Sequence, residues 1–361
     1  MNALEFWRDR RVFLTGHTGF KGAWLALWLS EMGARVTGYA LPPPTTPSLY
    51  DLARIDACVD SVIGDINDAE RLSYAMQAAE PEVVFHLAAQ PLVRQSYADP
   101  LETFATNVMG TANLLEAVRR IDSVSAVVIA TTDKCYANQE WAWGYRENDA
   151  LGGKDPYSAS KAAAELVAAS YRDSFLHGKA SVVTARAGNV IGGGDFARDR
   201  LVPDLVRAIE GDTTLQVRYP HAIRPWQFVL EPLAGYLELA QRAHARHSGI
   251  EGAWNFGPAG HDTRTVGELV QTFVSACAGP RHVRVELGAT ERRLHEAATL
   301  RLDISKACAL LSWRPRYGFD KTLDETASWY RAWLDGADLK SLSRRQLLQY
   351  ADAICLPCTH K

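Results

Sequence analysis

The feature that most constrains the fold is a glycine-rich turn between an apolar strand and an apolar helix. Residues 11–15 predict the strand, residues 16–22 form the turn, and residues 23–32 have the composition of a helix. In such a unit, the free N–H groups and the positive dipole at the helix N-terminus can hold a pyrophosphate. The spaced glycines would supply a tight turn and a close approach of backbone to ligand. The pattern therefore predicts a nucleotide site, although a turn that serves packing alone has the same glycines.

The alternation of strands and helices continues through the first half of the chain. Further strands are predicted at residues 35–40, 61–64, 83–89, 124–130 and 181–186, and helices at residues 100–120 and 157–177. This alternation is typical of a doubly wound parallel sheet. We predict an α/β fold with a Rossmann-type domain over residues 1–188. Residues 189–361 would form mainly a smaller α/β substrate-binding lobe, with strands at 227–230 and 253–256 as candidates to return to the first sheet.

The second strand gives no preference between NAD and NADP. An NAD site usually has an acidic residue at the end of this strand, about 20 residues past the glycines, to hold the ribose hydroxyls. Here that place is taken by Tyr39, Ala40 and Leu41. A proline-rich stretch follows, without an arginine for a 2′-phosphate.

Five polar residues carry the candidate chemistry. Thr132, Asp133 and Lys134 follow a predicted strand, and open α/β sheets bind their ligands at this end of their strands. Tyr157 and Lys161 are four residues apart, which places both side chains on one face of a predicted helix. A nearby ammonium lowers the pKa of a phenol, so this pair can make tyrosine a general base for a hydroxyl proton. Taken alone, tyrosine and lysine at this spacing are more often a surface pair.

Composition narrows the class of partner. A formal net charge of -3 argues against nucleic acid or an anionic membrane. No apolar run approaches the roughly 20 residues of a membrane span, and residues 1–11 do not resemble a signal peptide. Six scattered cysteines suit a reducing compartment, so we expect a cytoplasmic protein. Cys355, Cys358 and His360 resemble part of a zinc site, but a second ligand pair is missing nearby, and we predict no metal.

Together these motifs resemble those of the nucleotide-sugar 4,6-dehydratases, which belong to the extended short-chain dehydrogenases/reductases. The resemblance covers residues 12–318, and its motifs are at residues 15–22, 86–90, 132–134, 157–161, 186–192 and 224–227. Most members have Thr-Asp-Glu where this chain has Thr-Asp-Lys. The Thr-Asp-Lys triplet with Arg-Pro-Trp-Gln resembles the members that act on CDP-D-glucose, whereas related epimerases usually have Ser-Thr or Ser-Ser.

The resemblance implies a lyase that converts CDP-D-glucose to CDP-4-dehydro-6-deoxy-D-glucose and water, with NAD+ recycled in each turnover. Tyr157, with its pKa lowered by Lys161, would take the C4′ hydroxyl proton while Thr132 hydrogen-bonds that hydroxyl. Lys134 would remove the C5′ proton, and Asp133 would protonate the departing C6′ hydroxyl. These roles need a neutral lysine and a protonated aspartate. A plain salt bridge would therefore require a proton transfer between the two side chains first.

The resemblance also implies two sets of ligand-binding residues. Those expected at NAD are Gly16, His17, Gly19, Phe20, Lys21, Gly22, Asp65, Ile66, Leu87, Ala88, Ala89, Asn107, Thr131, Tyr157 and Lys161. Those expected at the substrate are Asn189, Val202, Pro203, Arg224, Gln227, Arg292 and Arg293. His17 replaces the usual glycine, and its imidazole either crowds the cofactor or points to solvent. Asp65 either reaches the adenine or caps the next helix, and we interpret His86 as a packed strand residue.

A homodimer is a further implication, with helices 100–120 and 157–177 of two copies forming a four-helix bundle. Two other functions stay open from sequence. A UDP- or dTDP-glucose 4,6-dehydratase or a nucleotide-sugar 4-epimerase would use the same fold, and so would a non-catalytic nucleotide sensor, because fold alone does not define chemistry. The set of five polar residues favours an enzyme.

Overall fold

The computed structural model describes residues 3–217, 219–260, 264–279, 281, 283–288 and 300–354. The strands in these residues are β1 (Arg11–Thr15), β2 (Arg35–Ala40), β3 (Asp60–Ile63), β4 (Val83–His86), β5 (Ala126–Ala130), β6 (Ser181–Ala187), β7 (Val190–Ile191), β8 (Thr214–Val217), β9 (Ile223–Arg224), β10 (Gln227–Phe228), β11 (Gly252–Phe256), β12 (Arg264–Thr265) and β13 (Arg284–Leu287).

The helices in the same ranges are α1 (Ala3–Trp7), α2 (Phe20–Glu31), α3 (Leu49–Leu52), α4 (Ala69–Ala79), α5 (Val93–Ala98), α6 (Pro100–Phe104), α7 (Gly110–Arg120), α8 (Pro156–Tyr171), α9 (Leu201–Glu210), α10 (Leu230–His244), α11 (Val266–Cys277), α12 (Ser305–Leu310), α13 (Phe319–Leu334) and α14 (Leu339–Ala353). A π-helical turn, Ala105–Met109, joins α6 to α7, and another π-helical turn, Arg172–Leu176, extends α8. None of these helices is long and apolar enough to cross a membrane.

Seven parallel strands form the central sheet in the order β11-β6-β5-β4-β1-β2-β3. The strand order reverses between β1 and β4, which is where a doubly wound sheet opens a crevice at the carboxyl ends of its strands. The predicted Rossmann-type sheet is confirmed. The strand predicted at residues 83–89 is too long, since it leaves the sheet after His86 and residues 87–89 continue as a loop.

Helices cover both faces of the sheet, so the strands are apolar on both sides. Val12 and Leu14 pack into the core on one face, under α2 and α10, while Phe13 packs into the core on the other, under α4 and α7. This alternation follows from the period of two along a strand. Fully burying each large apolar side chain contributes about 1.5–3 kcal/mol, and these two cores fix the positions of the strand ends.

The second half of the chain returns to the sheet more than once. Helix α10 packs against β5 and β6, strand β11 pairs with β6, and α14 packs against α2, where the Tyr350 and Trp28 rings are 5.8 Å apart. The predicted return of residues 253–256 is confirmed. The predicted return of residues 227–230 is wrong, because β10 pairs with β7 in a separate two-stranded sheet and α10 already begins at Leu230.

Candidate active site

A cleft of about 1510 Å³ lies along the carboxyl ends of the central strands. It is lined by the glycine-rich turn, by residues at or just after the ends of β2 to β6, and by residues of α9, β8 and β9 from the second half of the chain. Pockets for one small ligand are usually about 300–1,000 Å³. This cleft therefore has room for a dinucleotide and a second nucleotide side by side.

The glycine-rich turn is shaped for close contact with a ligand. Gly16 has a left-handed φ of +79°, and a Cβ there would lie 2.7 Å from the backbone nitrogen of Ala88. A Cβ on Gly22 would lie 2.0 Å from the carbonyl oxygen of Gly16. Helix α2 begins at Phe20, three residues earlier than predicted, and no side chain caps its first N–H groups. These donors suit a pyrophosphate, so the turn fits the dinucleotide that the sequence predicts.

Most of the residues expected at the ligands lie on this cleft. Those that line it are Gly16, Gly19, Phe20, Lys21, Gly22, Asp65, Ile66, Leu87, Ala88, Ala89, Thr131, Thr132, Asp133, Lys134, Tyr157, Lys161, Asn189, Val202, Pro203 and Arg224. Arg292 and Arg293 lie outside the described residues, as do Cys355, Cys358 and His360.

The side chain of His17 does not line the cleft, and both expectations for it are wrong. The imidazole is fully buried behind the turn, with Nε2 2.7 Å from Ser61 Oγ on β3. It packs over Gly38 of β2, where a Cβ would lie 2.4 Å from the histidine Cγ. The ring therefore fills a hole in the neighbouring strand instead of crowding the cofactor or facing solvent.

Asn107 and Gln227 also do not line the cleft, because their amides are used inside the protein. Asn107 Nδ2 donates to Gln90 O at 3.1 Å and to Ser160 Oγ at 2.9 Å. Gln227 Nε2 donates to Phe256 O at 3.1 Å, which joins β10 to β11. Both side chains are buried, so they hold the walls of the cleft in place.

The hydrogen bonds around Asp65 and His86 exclude the helix cap for the first and explain the burial of the second. Asp65 lines the cleft and accepts from Asn67 N at 2.9 Å, while the cap of α4 is Asp68. His86 is buried between two hydroxyls, with Nδ1 2.8 Å from Thr15 Oγ1 and Nε2 3.1 Å from that of Thr111. The interpretation of His86 as a packed strand residue agrees with this position.

The residues after β5 form one wall of the cleft with helix α8. A single turn of 3-10 helix, Asp133–Cys135, follows Thr132, so consecutive side chains do not alternate between faces as they would in a strand. Thr132 Oγ1 donates to Asp133 Oδ1 at 3.0 Å, and Lys134 Nζ donates to the same oxygen at 3.4 Å. The Asp133 carboxylate is buried, whereas the Lys134 side chain is 37% exposed.

The Tyr157 phenol lies on the same wall, in an environment that opposes its ionisation. Burial raises the pKa of Tyr157, the Lys134 ammonium and a hydrogen bond with Thr132 oppose that rise, and Asp133 adds to it. The sequence predicts that Lys161 supplies the cation that favours the phenolate. In the structure the cations with the largest effect on this pKa are Lys134 and then Arg200.

Lys161 lies deeper, next to the strand end. Its Nζ donates to Ala130 O at 3.2 Å. Burial lowers the pKa of Lys161 to about 8, although the Glu165 carboxylate opposes this effect. Lys161 therefore lines the cleft directly beside the end of β5.

Lys134 is charged and paired in the resting site. Burial disfavours its charge, but the attraction of Asp133 and Tyr157 is larger, and the pKa of Lys134 is raised. Lys134 is therefore not neutral in the resting site, although a lysine that acts as a base must be neutral. Lys134 and Asp133 form a salt bridge instead, which is the alternative considered from the sequence.

Sequence reasoning missed Arg200, which reaches the cleft from the second lobe. Its Nη1 donates to Asp195 Oδ2 at 2.8 Å, and its charge favours ionisation of Tyr157. The signal in the sequence is the charged run at residues 198–200, just before a helix. This run does not indicate that Arg200 lies near the end of β5, because more than 60 residues separate the two along the chain.

A buried ion pair lies behind this wall. Glu165 comes one turn after Lys161 on α8, and Arg186 is near the end of β6. Two bonds join them, Nε to Oε1 at 3.0 Å and Nη2 to Oε2 at 2.9 Å, and both side chains are 4% exposed. Thr131 and Thr184 donate to the same carboxylate, so the pair ties α8 to β5 and β6.

The two buried histidines predict a stability that falls in mild acid. Burial lowers the pKa of His17 to about 4 and that of His86 to about 3, whereas an unfolded histidine has a pKa of about 6.5. Between these values the unfolded chain binds protons that the folded chain does not, so stability is lost as the pH falls. We expect a loss of about 2 kcal/mol per histidine between pH 7 and pH 5, measured by urea unfolding.

The control for this prediction is His247→Gln, since His247 is exposed. Its replacement should leave the dependence of the free energy of unfolding on pH unchanged. His17→Asn should make the slope shallower. A dependence of the free energy of unfolding on pH that is equally steep in His17→Asn and in the wild type would contradict the prediction.

The fold, the cleft and the residues after β5 together define an enzyme that modifies nucleotide sugars. The GDP-mannose 4,6 dehydratase family matches residues 13–326, and this chain belongs to that family. It is similar to the CDP-glucose 4,6-dehydratase of Salmonella typhimurium, with 49% identity over 356 residues that cover 97% of this chain and 98% of the relative. The predicted family is thereby confirmed.

Two more distant relatives give the wider context. A dTDP-glucose 4,6-dehydratase of Xanthomonas campestris pv. campestris is 26% identical over 347 residues, which cover 90% of this chain and 94% of that protein. The crystal structure of UDP-glucose 4-epimerase from Brucella ovis in complex with NAD superposes with a TM-score of 0.75 at 25% identity, covering 89% of this chain and 98% of that chain.

Proposed function

We propose that this chain is a CDP-glucose 4,6-dehydratase, which converts CDP-D-glucose to CDP-4-dehydro-6-deoxy-D-glucose and water and keeps NAD as its cofactor. The observation that carries this proposal is the arrangement of residues 132–134 beside Tyr157 on one wall of a cleft with room for two nucleotides. The 49% identity to the Salmonella typhimurium enzyme supports the same substrate. The shape of the glycine-rich turn and the NAD in the Brucella ovis epimerase support the cofactor.

Bound NAD supplies the oxidation at C4′ and the reduction at C6′. The protein supplies the proton transfers. Tyr157 takes the C4′ hydroxyl proton as a phenolate, a state that burial disfavours and that the charges of Lys134 and Arg200 favour. Thr132, which is hydrogen-bonded to that phenol, orients the hydroxyl. The resulting ketone acidifies the C5′ proton, which Lys134 removes, and Asp133 gives a proton to the C6′ hydroxyl so that water leaves. Lys134 then returns its proton to C5′ when C6′ is reduced, which completes the 6-deoxy ketone.

The salt bridge between Lys134 and Asp133 requires one preceding step. A lysine acting as a base must be neutral, and an aspartate acting as an acid must carry a proton. Lys134 Nζ lies 3.4 Å from Asp133 Oδ1. A proton that passes from this nitrogen to the carboxylate therefore puts both groups into the required states. A pH–rate profile of Asp133→Asn whose limbs match those of the wild type would contradict this transfer.

The function is tested by offering the protein CDP-, dTDP-, UDP- and GDP-glucose with NAD and weighing the products. We expect loss of water from CDP-glucose, with no net change in the oxidation state of the cofactor. Faster dehydration of UDP- or dTDP-glucose would overturn the nucleotide assignment. A new nucleotide sugar that has the same mass as its substrate but separates from it by chromatography would indicate an epimerase, and no product from any of the four would overturn the enzyme assignment.

A homodimer is part of this proposal. Five large apolar side chains are exposed on the two helical segments predicted to form the bundle, and they are Leu101, Phe104, Met109, Leu166 and Phe175. Exposed apolar side chains grouped on one pair of helices are typical of an interface. We expect light scattering to give the mass of a dimer and Leu166→Glu to give a monomer, whereas Tyr74→Glu on α4 should leave the dimer intact. A wild-type monomer would contradict the proposal.

A cytoplasmic location also belongs to the proposal. The cysteines at positions 58, 135, 277 and 308 are free thiols in the described part of the chain. Free thiols are typical of proteins in a reducing compartment. We propose that the chain works there, next to the soluble nucleotide sugars it would consume.

A further inference from the structure

Residues of α9 and β8 line one part of the cleft. Its lining residues are Val202, Pro203, Asp204, Arg207, Leu215, Gln216, Val217 and Tyr219. Helix α9 buries Leu205, Val206 and Ile209 in the core. Asp204 and Arg207 are one turn apart, partly exposed, and line the cleft.

A nucleotide sugar can lie in the cleft in only one direction if it reacts as proposed. Its hexose has to reach Tyr157 and Lys134, and the dinucleotide has to occupy the glycine-rich turn beside β1 and β2. The space that remains for the nucleobase is the one between α9 and β8. Apolar side chains there, such as Val202 and Leu215, suit the flat faces of a pyrimidine ring.

The edge of that ring distinguishes the pyrimidines from one another. Cytosine carries an amino donor at position 4, where uracil and thymine carry a carbonyl acceptor. A carboxylate only accepts hydrogen bonds, so it accepts from the cytosine amine and repels the carbonyl of the other two bases. The same discrimination by Asp or Glu occurs when proteins recognise cytosine in DNA.

Asp204 is the carboxylate in the right place. Its Oδ1 accepts from Arg207, and a carboxylate has about four lone-pair sites, so an amine can bind beside the guanidinium. The other two acids that line the cleft from the second half of the chain pair with residues outside α9 and β8. Asp195 pairs with Arg200 at 2.8 Å, and Asp199 pairs with Arg94 of α5 at 2.9 Å.

We propose that Asp204 determines the nucleobase, by accepting a hydrogen bond from the 4-amino group of cytosine and excluding uracil and thymine. Arg207 is a positioning residue in this arrangement, because its fork holds the carboxylate and also bonds to the carbonyl oxygens of Phe196 and Ala197. The inference rests on the proposed function, since it presupposes a CDP-sugar as substrate.

The experiment is a calorimetric titration of the full-length protein, saturated with NAD, with CDP and with UDP. We expect the wild type to bind CDP at least tenfold more tightly than UDP. Asp204→Asn keeps the size of the side chain but adds a donor, and we expect it to reduce the ratio of the two affinities by roughly 10- to 100-fold. Asp204→Leu should reduce the ratio by weakening the binding of CDP, without tighter binding of UDP.

Glu210→Gln is the matched control, because it removes the same charge from the exposed end of the same helix. It should leave the ratio unchanged. An unchanged ratio in Asp204→Asn would overturn the inference. If neither variant at position 204 folds, the wild type is titrated with the diphosphate of the cytidine analogue that lacks the 4-amino group, and binding equal to that of CDP would overturn it.

These outcomes are separate from those that test the proposed function. A wild type that dehydrates CDP-glucose in preference to UDP-glucose, together with an Asp204→Asn variant that keeps this preference, would leave the function in place and remove Asp204 as its determinant. A wild type that prefers UDP-glucose would remove both.

Discussion

Replacing Lys134 with methionine is expected to stop the loss of water while the oxidation at C4′ still takes place. Methionine keeps the length and much of the volume of the side chain but has no group that can accept the C5′ proton. Since a positioned acid or base typically contributes 10²–10⁴-fold, we expect the rate of dehydration to fall by about that factor. The oxidation at C4′ should also slow, because Lys134 favours ionisation of Tyr157. We expect that effect to be smaller than the effect on dehydration.

The measurement is the mass of the nucleotide sugar after a single turnover. The variant should accumulate a species that has lost two hydrogens, whereas the wild type should give one that has lost water. Lys154→Met is the control, since Lys154 lines the same cleft but is exposed and has no role in the proposed chemistry. Dehydration by Lys134→Met at more than a tenth of the wild-type rate would contradict the role proposed for this lysine.

Glutamate at position 134 provides a test by rescue. Most dehydratases that the sequence resembles have glutamate at this place. A second carboxylate next to Asp133 would raise the pKa of one of the two, because like charges at short range cannot both be ionised easily. One group would then hold the proton and the other would be free to act as the base. We therefore expect Lys134→Glu to recover part of the dehydration that Lys134→Met loses, which a purely structural role for Lys134 would not allow.

The backbone of this site could be predicted from the sequence, because local patterns determine it. The bounds of β1 and β2 follow from apolar, partly β-branched runs that end at glycines or prolines. The end of β5 and the start of α8 follow in the same way from the polar triplet and from Pro156. Residues at these ends reach the cleft wherever the sheet is correctly predicted, which explains why most of the expected ligand-binding residues line it.

The contacts that were missed depend on which distant segment lies next to a residue. His17 turns away from the cleft because β2 has Gly38 at the facing position, and only strand pairing brings the two together. The amide of Gln227 finds its acceptor on β11, a strand that the sequence indicates only as a candidate to return to the first sheet. The cation that acts most on Tyr157 is Lys134 and not Lys161, because a turn of 3-10 helix, unmarked in the sequence, directs that lysine towards the phenol.

The second large effect is expected at the ion pair between Glu165 and Arg186. Both side chains are 4% exposed, and two hydrogen bonds join them. Removing one partner leaves the other charge buried without compensation, which typically costs about 3–5 kcal/mol. We expect Glu165→Gln and Arg186→Met each to lower the free energy of urea unfolding by that amount, since the lost partner cannot be replaced by water at this depth.

The exposed pair between Glu116 and Arg119 is the matched control. Its side chains are 31% and 42% exposed, and surface pairs contribute about 0–1 kcal/mol, so Glu116→Gln should change the stability little. The double variant Glu165→Leu/Arg186→Met removes both charges at once and should recover part of the loss, because apolar residues of similar size often replace a buried pair without cost. Single variants as stable as Glu116→Gln would contradict the prediction that leaving one of these charges buried and unpaired destabilises the fold. A double variant less stable than either single one would instead show that Thr131 and Thr184, and with them the end of β5, depend on an acceptor oxygen at position 165, which glutamine keeps and leucine lacks.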